Sequence, residues 1–330
     1  MPEDAADQLR WVDLQNEFLR VRLLNFGAIT ARIDAQIAGE WTPMILGYQD
    51  MASYLTDPFY LGALAGRVAN RISGAGFSLG GDDIRLAANE GANMLHGGPG
   101  GLSRRFWAME PRDPQTVRWK LHSPEGDQGF PGAVDIVCDV SLREASLIYE
   151  MSATVDRPTP INLAQHNYYC LGRYAEIWDH RLWVAFRERL ETTQDGLPTG
   201  NCLALGGTRY VFSGEQSFAE LDPHRRGYDT HFNFNPSANR LREVARLTAP
   251  DGVTLTVTSD QSGAQIYTAG HLQTSQPGQE GSVLSPFSGV CIEPQGYPDA
   301  VNQPTFPSII VEPGSPYHQR LELSFSSKGS

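Results

Sequence analysis

Several residues with acid–base or hydrogen-bonding chemistry stand in or beside apolar and glycine-rich segments of this chain. Asn70 and Arg71 follow the string GRVA at 66–69, His96 lies in NMLHGG at 93–98, and His166 lies in INLAQHNYY at 161–169. Imidazole exchanges protons near neutral pH, and amide and guanidinium groups donate directional hydrogen bonds. A small-molecule site is one interpretation. Taken singly, a structural ion pair explains Arg71, and a packed loop or core histidine explains His96 and His166.

Two carboxylates are further candidates. Glu293 ends the strand-like string GVCI at 289–292, and Asp229 lies in GYDT at 227–230. A carboxylate on a buried strand needs a partner or a function, because removing its charge from water is costly. Glu293 is therefore the stronger candidate. Asp229 is the weakest candidate, because Asp in a Gly-Tyr-Asp-Thr string is ordinary turn chemistry.

Sequence motifs for other chemistries fail in their context. The string GFSLG at 76–80 matches the GxSxG of serine hydrolases, but the Gly-Gly-Asp-Asp that follows predicts a hairpin turn where a nucleophile elbow needs a helix. The glycine-rich 97–101 lacks the Lys-Ser/Thr of a phosphate-binding loop. The eight histidines include no HExxH, and the four cysteines include no CxxC. We predict no metal site, and free, mostly buried thiols.

Composition excludes some classes of partner. Lys and Arg number 26 against 38 Asp and Glu, a net charge of −12 that opposes nucleic acid and anionic membrane surfaces. No apolar run approaches the roughly 18 residues of a membrane-spanning helix. The acidic first seven residues lack the basic start of a secretory signal, so we expect a cytoplasmic protein.

Period-2 alternation predicts the elements that must position these residues. Apolar residues alternate over 134–142 and again over 147–155, which predicts an antiparallel hairpin. Similar strands are predicted over 182–186, 253–257 and 321–325. One short helix is possible at 214–221, where Ser217 and Glu220 have capping-box spacing. We predict a mainly β protein, a large antiparallel β-sandwich, in which residues 1–330 form a single domain.

Five stretches together resemble the aldose 1-epimerase family, the galactose mutarotases. They occur in family order: LLNFGA at 23–28, GRVANRI at 66–72, NMLHGG at 93–98, PTPINLAQH at 158–166 and EPQGYPDA at 293–300. Shorter matches lie at 129–132, 198–200 and 313–314, so the resemblance extends from about residue 11 to residue 325. One such string would carry little information, but this many in order is specific.

The resemblance implies a β-sandwich of the mutarotase type that acts on the anomeric carbon of free sugars without a metal or organic cofactor. By motif, Glu293 matches the family's general base and His166 its general acid. His96, Asn70, Arg71 and Asp229 match charge-orienting and sugar-binding positions, and Gln265 in GAQIY at 263–267 matches a further substrate contact. We expect a monosaccharide as the partner, with no nucleic acid or membrane, and a monomer or homodimer.

General acid–base chemistry fits these residue types. Opening a cyclic hemiacetal removes the proton of the C1 hydroxyl and protonates the ring oxygen, so one base and one acid must act on the same sugar. With ordinary pKa values near 4.3 and 6.5, a carboxylate and an imidazolium coexist in mildly acidic to neutral solution. We therefore predict an isomerase that interconverts α and β anomers. The division of roles between His96 and His166 stays open.

Two alternative functions use the same residues. A glycoside hydrolase would employ Asp229 and Glu293 as its two carboxylates, but its mechanism needs no histidine acid. A non-catalytic sugar-binding protein would keep the pocket and lose the acid or the base, whereas His166 and Glu293 are both present.

Overall fold

The computed structural model of the protein describes residues 5–234 and 240–327. Its first half contains short strands: β1 (Trp11–Gln15), β2 (Leu19–Leu24), β3 (Thr30–Ile37), β4 (Glu40–Pro43), β5 (Leu64–Ala65), β6 (Arg71–Ile72), β7 (Gly76–Leu79), β8 (Asp82–Arg85), β9 (Met94–Leu95), β10 (Ala108–Asp113), β11 (Thr116–Ser123), β12 (Val134–Arg143), β13 (Ser146–Val155), β14 (Thr159–Pro160), β15 (Ala164–Gln165) and β16 (Tyr168–Tyr169).

The second half continues in the same way: β17 (Arg181–Val184), β18 (Glu188–Thr192), β19 (Pro198–Ala204), β20 (Ser213–Ser217), β21 (Asp229–Asn233), β22 (Arg242–Thr248), β23 (Thr254–Ser259), β24 (Gly263–Tyr267), β25 (Val290–Gln295), β26 (Ile310–Val311) and β27 (Tyr317–Ser326). Helices in the described residues are short: α1 (Ala5–Gln8), α2 (Phe218–Leu221), and the 3₁₀ helices Met51–Thr56, Ser73–Ala75, Leu102–Arg104, Asp127–Gly129, Gln279–Gly281 and Ala300–Asn302. None of these helices is long and apolar enough to cross a membrane.

Two large antiparallel sheets organise these strands. The nine-stranded sheet has the order β10-β11-β12-β13-β27-β23-β22-β17-β20, and the six-stranded sheet has the order β16-β25-β24-β21-β18-β19. A four-stranded sheet, β1-β2-β3-β4, and four short pairs complete the fold.

Alternation in the sequence matches alternation in burial on the central strands. β12 and β13 pair from Val134 with Val155 to Arg143 with Ser146, which confirms the predicted hairpin. Along β12, Val134, Ile136 and Cys138 are buried while the residues between them are partly or fully exposed. Successive side chains of a strand point to opposite faces, so this period-2 pattern gives the sheet one apolar face.

The apolar faces of the two large sheets share one hydrophobic core. Trp119 and Tyr149 of the nine-stranded sheet belong to the same buried cluster as Phe232, Ile266 and Ile292 of the six-stranded sheet. Sheets that bury their apolar faces against each other form a sandwich. The predicted mainly β sandwich is thus confirmed.

Two local predictions have different outcomes. The GFSLG string lies in the β7–β8 hairpin, with Gly80 and Gly81 at positive φ in its turn, which confirms the hairpin. The helix predicted at 214–221 is wrong in its first half. Residues 213–217 form β20, and only α2 is helical, although Ser217 and Glu220 do form the capping box. Pairing of β20 with β17 overrides the helical pattern there.

The cysteine prediction is confirmed in its essentials. Cys138, Cys170 and Cys291 are free and buried, whereas Cys202 is free and exposed.

Buried histidines make the stability of this fold sensitive to acid. His180 is fully buried, and burial lowers its pKa to about 4. Between about pH 6.5 and pH 4 the unfolded chain therefore binds a proton at His180 that the folded chain does not, so the free energy of unfolding falls as pH falls. We predict that His180→Gln lessens this fall by up to about 1.4 kcal/mol per pH unit, measured by urea denaturation. His318→Gln, at an exposed histidine, is the control. An unchanged slope in His180→Gln would contradict the prediction.

Candidate active site

The six-stranded sheet carries polar side chains on the face opposite to the shared core. On β25, Val290 and Ile292 belong to that core, so Cys291 and Glu293 point to the other face. Glu293 is paired in register with Gln265 of β24. Every residue of β25 is buried, because loops from the first half of the chain cover this second face.

Glu293 and His166 approach each other beneath these loops. Glu293 is 2% exposed and His166 is 5% exposed, and Glu293 Oε2 lies 3.7 Å from His166 Nε2. Burial raises the pKa of Glu293 well above its ordinary value, and the charge of Asp229 adds to this shift. Burial lowers the pKa of His166 to about 4. The expectation of ordinary pKa values for this pair is therefore wrong, because both groups are removed from water.

Both shifts favour the uncharged form of each group. A protonated Glu293 beside a neutral His166 holds one proton, the same number as a carboxylate beside an imidazolium. The pair therefore holds a single proton over a range of pH, and its net charge is zero wherever that proton lies. This suits a buried position, where an unbalanced charge would be costly.

His96 is held in one tautomer by the backbone. The amide N–H of Asn70 donates to His96 Nδ1 at 3.2 Å, and the amide of His96 donates to the Asn70 carbonyl at 3.0 Å. Nδ1 is thus an acceptor, which leaves the proton of neutral His96 on Nε2. Burial, followed by the neighbouring His166, lowers the pKa of His96 well below its ordinary value. The ring therefore serves as a neutral hydrogen-bond donor.

Left-handed backbone conformations cluster around these groups. Tyr60, Asn70 and His96 have φ of 58°, 62° and 49°. Such conformations in residues other than glycine cost about 1–3 kcal/mol each and persist only where the surroundings impose them. A Cβ on Gly97 would collide with the carbonyl oxygen of Gly66, so the glycine after His96 permits the two motif loops to touch.

Arg67 anchors the loop that carries Asn70 and Arg71. Its guanidinium is buried and donates to Ser123 Oγ at 2.9 Å and to the carbonyls of Pro124 and Gly132 at 2.7 and 2.9 Å. Several acceptors around one planar cation fix its orientation. The arginine of the GRVANRI string that precedes the candidate residues thus has a structural role.

Arg71 is oriented by Glu90, a residue that the sequence analysis missed. Arg71 Nε and Nη2 donate to the two carboxylate oxygens of Glu90 at 2.5 and 2.8 Å. Two parallel bonds to one carboxylate specify direction as well as distance. An acidic residue six positions before His96, in the same motif region, was the available signal.

Asp229 and Gln265 form a second polar pair across neighbouring strands. Gln265 Nε2 donates to Asp229 Oδ1 at 2.5 Å, and Gln265 lies next to Glu293 in the sheet. Asp229 is exposed, and its carboxylate is the charge that acts on Glu293. The turn explanation for Asp229 does not hold, because the residue begins β21.

All seven candidate residues line one cleft of about 180 Å³. The structure brings together residues from segments up to 223 positions apart along the chain: Asn70, Arg71, His96, His166, Asp229, Gln265 and Glu293. Further lining residues that the sequence analysis did not single out are Glu90, Tyr60, Tyr168, Tyr267 and His271. Tyrosine and histidine rings give the cleft flat walls that suit a ring-shaped ligand.

Comparison with known proteins decides the family. The sequence model of the aldose 1-epimerase family matches residues 10–324. The chain belongs to the aldose 1-epimerase family. It is 33% identical over 318 residues to the galactose mutarotase of Homo sapiens, covering 95% of this chain and 93% of that protein. It is 32% identical to the aldose 1-epimerase of Haemophilus influenzae, covering 98% and 97%.

A solved relative has the same architecture. The crystal structure of an aldose epimerase homologue from C. elegans superposes with a TM-score of 0.91 at 26% identity, covering 97% of this chain and 99% of that one. Family membership confirms the prediction of an isomerase of the aldose 1-epimerase class. It does not favour the glycoside hydrolase or the non-catalytic sugar-binding protein.

The Arg71–Glu90 pair yields a prediction that separates binding from chemistry. Glu90→Gln leaves the guanidinium without its second carboxylate oxygen, so Arg71 loses its fixed direction in the cleft. We expect KM to rise about tenfold with little change in kcat, because one charge-assisted hydrogen bond is worth about 1.5 kcal/mol and Glu90 contacts no reacting atom. Glu125→Gln removes the partner of Arg157, an exposed pair outside the cleft, and is the control. Equal KM values in the two variants would contradict this assignment.

Proposed function

We propose that this protein interconverts the α and β anomers of free aldoses, with Glu293 as general base and His166 as general acid. The observation that carries the proposal is the separation of 3.7 Å between Glu293 Oε2 and His166 Nε2 in a cleft lined by hydrogen-bonding side chains. A base and an acid at this spacing can reach two neighbouring oxygens of one sugar, the C1 hydroxyl and the ring oxygen.

The single proton of the pair accounts for both steps. Ring opening starts from the less favoured arrangement of the pair, in which Glu293 is a carboxylate and His166 an imidazolium. Glu293 takes the C1 hydroxyl proton while His166 Nε2–H gives its proton to the ring oxygen, the C1–ring oxygen bond breaks, and the aldehyde forms. The pair is then uncharged, which is the form that burial favours. Proton transfer toward ring opening therefore relieves the cost of a buried ion pair.

Closure runs the same transfers in reverse. The open chain rotates about its C1–C2 bond, and the C5 hydroxyl of a hexopyranose attacks the other face of the aldehyde. Protonated Glu293 then gives its proton to the carbonyl oxygen while neutral His166 accepts the proton of the attacking hydroxyl. The charged pair is restored, and no oxidant, reductant or covalent intermediate is required.

The other candidate residues hold the sugar without holding C1. His96, with its proton on Nε2, and Arg71, directed by Glu90, are donors for ring or hydroxyl oxygens. Asp229 and Gln265 offer acceptors and a donor that distinguish hydroxyl stereochemistry. Asn70 contributes its backbone amide to His96 and its side-chain oxygen to the Arg71 amide at 2.8 Å.

The remaining properties are proposals of the same kind. Relatives are named galactose mutarotases, so galactose is the first sugar to test, followed by other hexoses and pentoses. The shared core of the two large sheets supports a single domain for residues 1–330. We further propose a cytoplasmic monomer or homodimer whose side chains carry out the reaction without a cofactor.

Glu293→Gln tests the base assignment. The amide cannot accept the C1 hydroxyl proton, so we expect kcat/KM for anomer exchange to fall by about 10²–10⁴. The free energy of unfolding should not decrease markedly, because a buried titratable group is replaced by a neutral one of the same size. Polarimetry on freshly dissolved α-galactose measures the rate above that of buffer.

Glu312→Gln, at an exposed glutamate, is the matched control and should keep the wild-type rate. A wild-type rate in Glu293→Gln would overturn the base assignment. The absence of any acceleration by the wild-type protein, over a panel of aldoses, would overturn the proposed function itself.

The pH dependence tests the acid. Activity requires the pair to hold one proton, so it is lost when the pair takes up a second proton in acid or releases its proton in alkali. Because burial lowers the pKa of His166 to about 4, we expect the acid limb of kcat/KM near pH 4, well below the ordinary histidine value. The position of the acid limb is measured from rates corrected for buffer catalysis. Circular dichroism confirms at each pH that the protein is folded. An acid limb near pH 6.5 would contradict the prediction.

A further inference from the structure

Cys291 adds a thiol to the buried acid–base pair. It lies two residues before Glu293 on the same face of β25, and its Sγ is 3.6 Å from His166 Nδ1. One ligand atom each from His166, Cys291 and Glu293 lie within 4.8 Å of one another, and all three residues are buried. The sequence motifs predict no metal site, because His166 lies far along the chain from Cys291 and Glu293.

We propose that His166, through Nδ1, Cys291 and Glu293 form a site for Zn²⁺ or a similar thiol-seeking divalent cation, and that the cation inhibits the enzyme by binding the Glu293 carboxylate and holding His166 as a neutral imidazole. The inhibitory consequence rests on the proposed function, whereas the binding site does not.

Distances between the ligand atoms agree with tetrahedral coordination. A Zn–S bond of about 2.3 Å and a Zn–N bond of about 2.0–2.1 Å at a tetrahedral angle place sulfur and nitrogen about 3.6 Å apart. This is the distance found between Cys291 Sγ and His166 Nδ1. The Glu293 carboxylate oxygen lies within 4.8 Å of both, so tetrahedral coordination would require it to approach by at most about 1.4 Å.

The charges of the site balance on binding. A dication with one thiolate, one carboxylate and a neutral imidazole has no net charge, so its burial leaves no unpaired ion. The thiol releases its proton, and the acid–base pair releases its single proton, so two protons leave for each cation bound. The exposed carboxylate of Asp229 at the cleft also attracts a cation.

The ligand types select the cation. Thiolate and imidazole favour Zn²⁺ and Cd²⁺, whereas Mg²⁺ and Ca²⁺ prefer all-oxygen sites. Occupancy should therefore be specific to thiol-seeking metals, and it should be mutually exclusive with productive sugar binding, since both need the Glu293 carboxylate.

Direct binding is tested with the full chain and Cd²⁺, whose thiolate complexes absorb in the ultraviolet. We expect this absorption band in the wild type and in Cys202→Ser, which removes the exposed thiol, and its loss in Cys291→Ser and Cys291→Ala. Two substitutions at 291, each with its circular dichroism spectrum, guard against a folding defect. A band that survives in the folded 291 variants, or that disappears in Cys202→Ser, would overturn the site.

Inhibition is measured with Zn²⁺, each variant being compared with its own metal-free rate. We expect Zn²⁺ to inhibit the wild type and Cys202→Ser competitively with sugar and reversibly by chelator, and Mg²⁺ to have no effect. Loss of the thiol should raise the inhibition constant for Zn²⁺ at least tenfold. Even the loss of a group that only supports a metal ligand lowers metal affinity about 10–100-fold. Equal Zn²⁺ inhibition in the 291 and 202 variants would overturn the proposal. If no variant accelerates anomer exchange without metal, the proposed function fails, and the Cd²⁺ band alone decides the site.

Discussion

The structure depends on keeping a carboxylate, Glu293, out of water beside an imidazole, His166. A carboxyl group in the interior of a sheet is costly unless its proton or its partner removes the net charge. Here the two groups hold one proton between them, so the site is neutral in both of its protonation arrangements. That neutrality permits deep burial, and deep burial in turn favours the uncharged arrangement of the pair.

The sheet and the loops contribute different halves of this site. Strands β21, β24 and β25 supply the acidic and amide groups, and their ladder fixes the spacing of Glu293 and Gln265. Loops and short strand pairs from the first half of the chain supply the imidazoles and the guanidinium, without the long ladder of the six-stranded sheet. Two other contacts fix these groups. Arg67 donates hydrogen bonds to buried backbone carbonyls, and the backbones of Asn70 and His96 are hydrogen-bonded to each other. The strained conformations at these loops are stabilised by the packing around them, an arrangement common at functional sites.

Much of the fold was predictable because it depends on local patterns. The β12–β13 hairpin follows from apolar alternation, and the β7–β8 turn follows from paired glycines. The helix predicted at 214–221 was shortened because strand pairing with β17 outweighs local helix preference there. Site residues were identified where motifs mark them. Glu90 was missed because its role arises only from its contact with Arg71. No sequence spacing predicts that these two residues meet.

The sequence by itself determined the alternating strands, the turn positions, the family and the identity of seven of the residues that line the cleft. These depend on residue type and order along the chain. Only the tertiary structure decided that Glu293 and His166 lie 3.7 Å apart, that their pKa values move toward the uncharged forms, and that Cys291 joins them. The desolvation of a group and its distance from other groups depend on everything packed around it, including loops more than a hundred residues away in the sequence. Only the folded chain as a whole sets these surroundings.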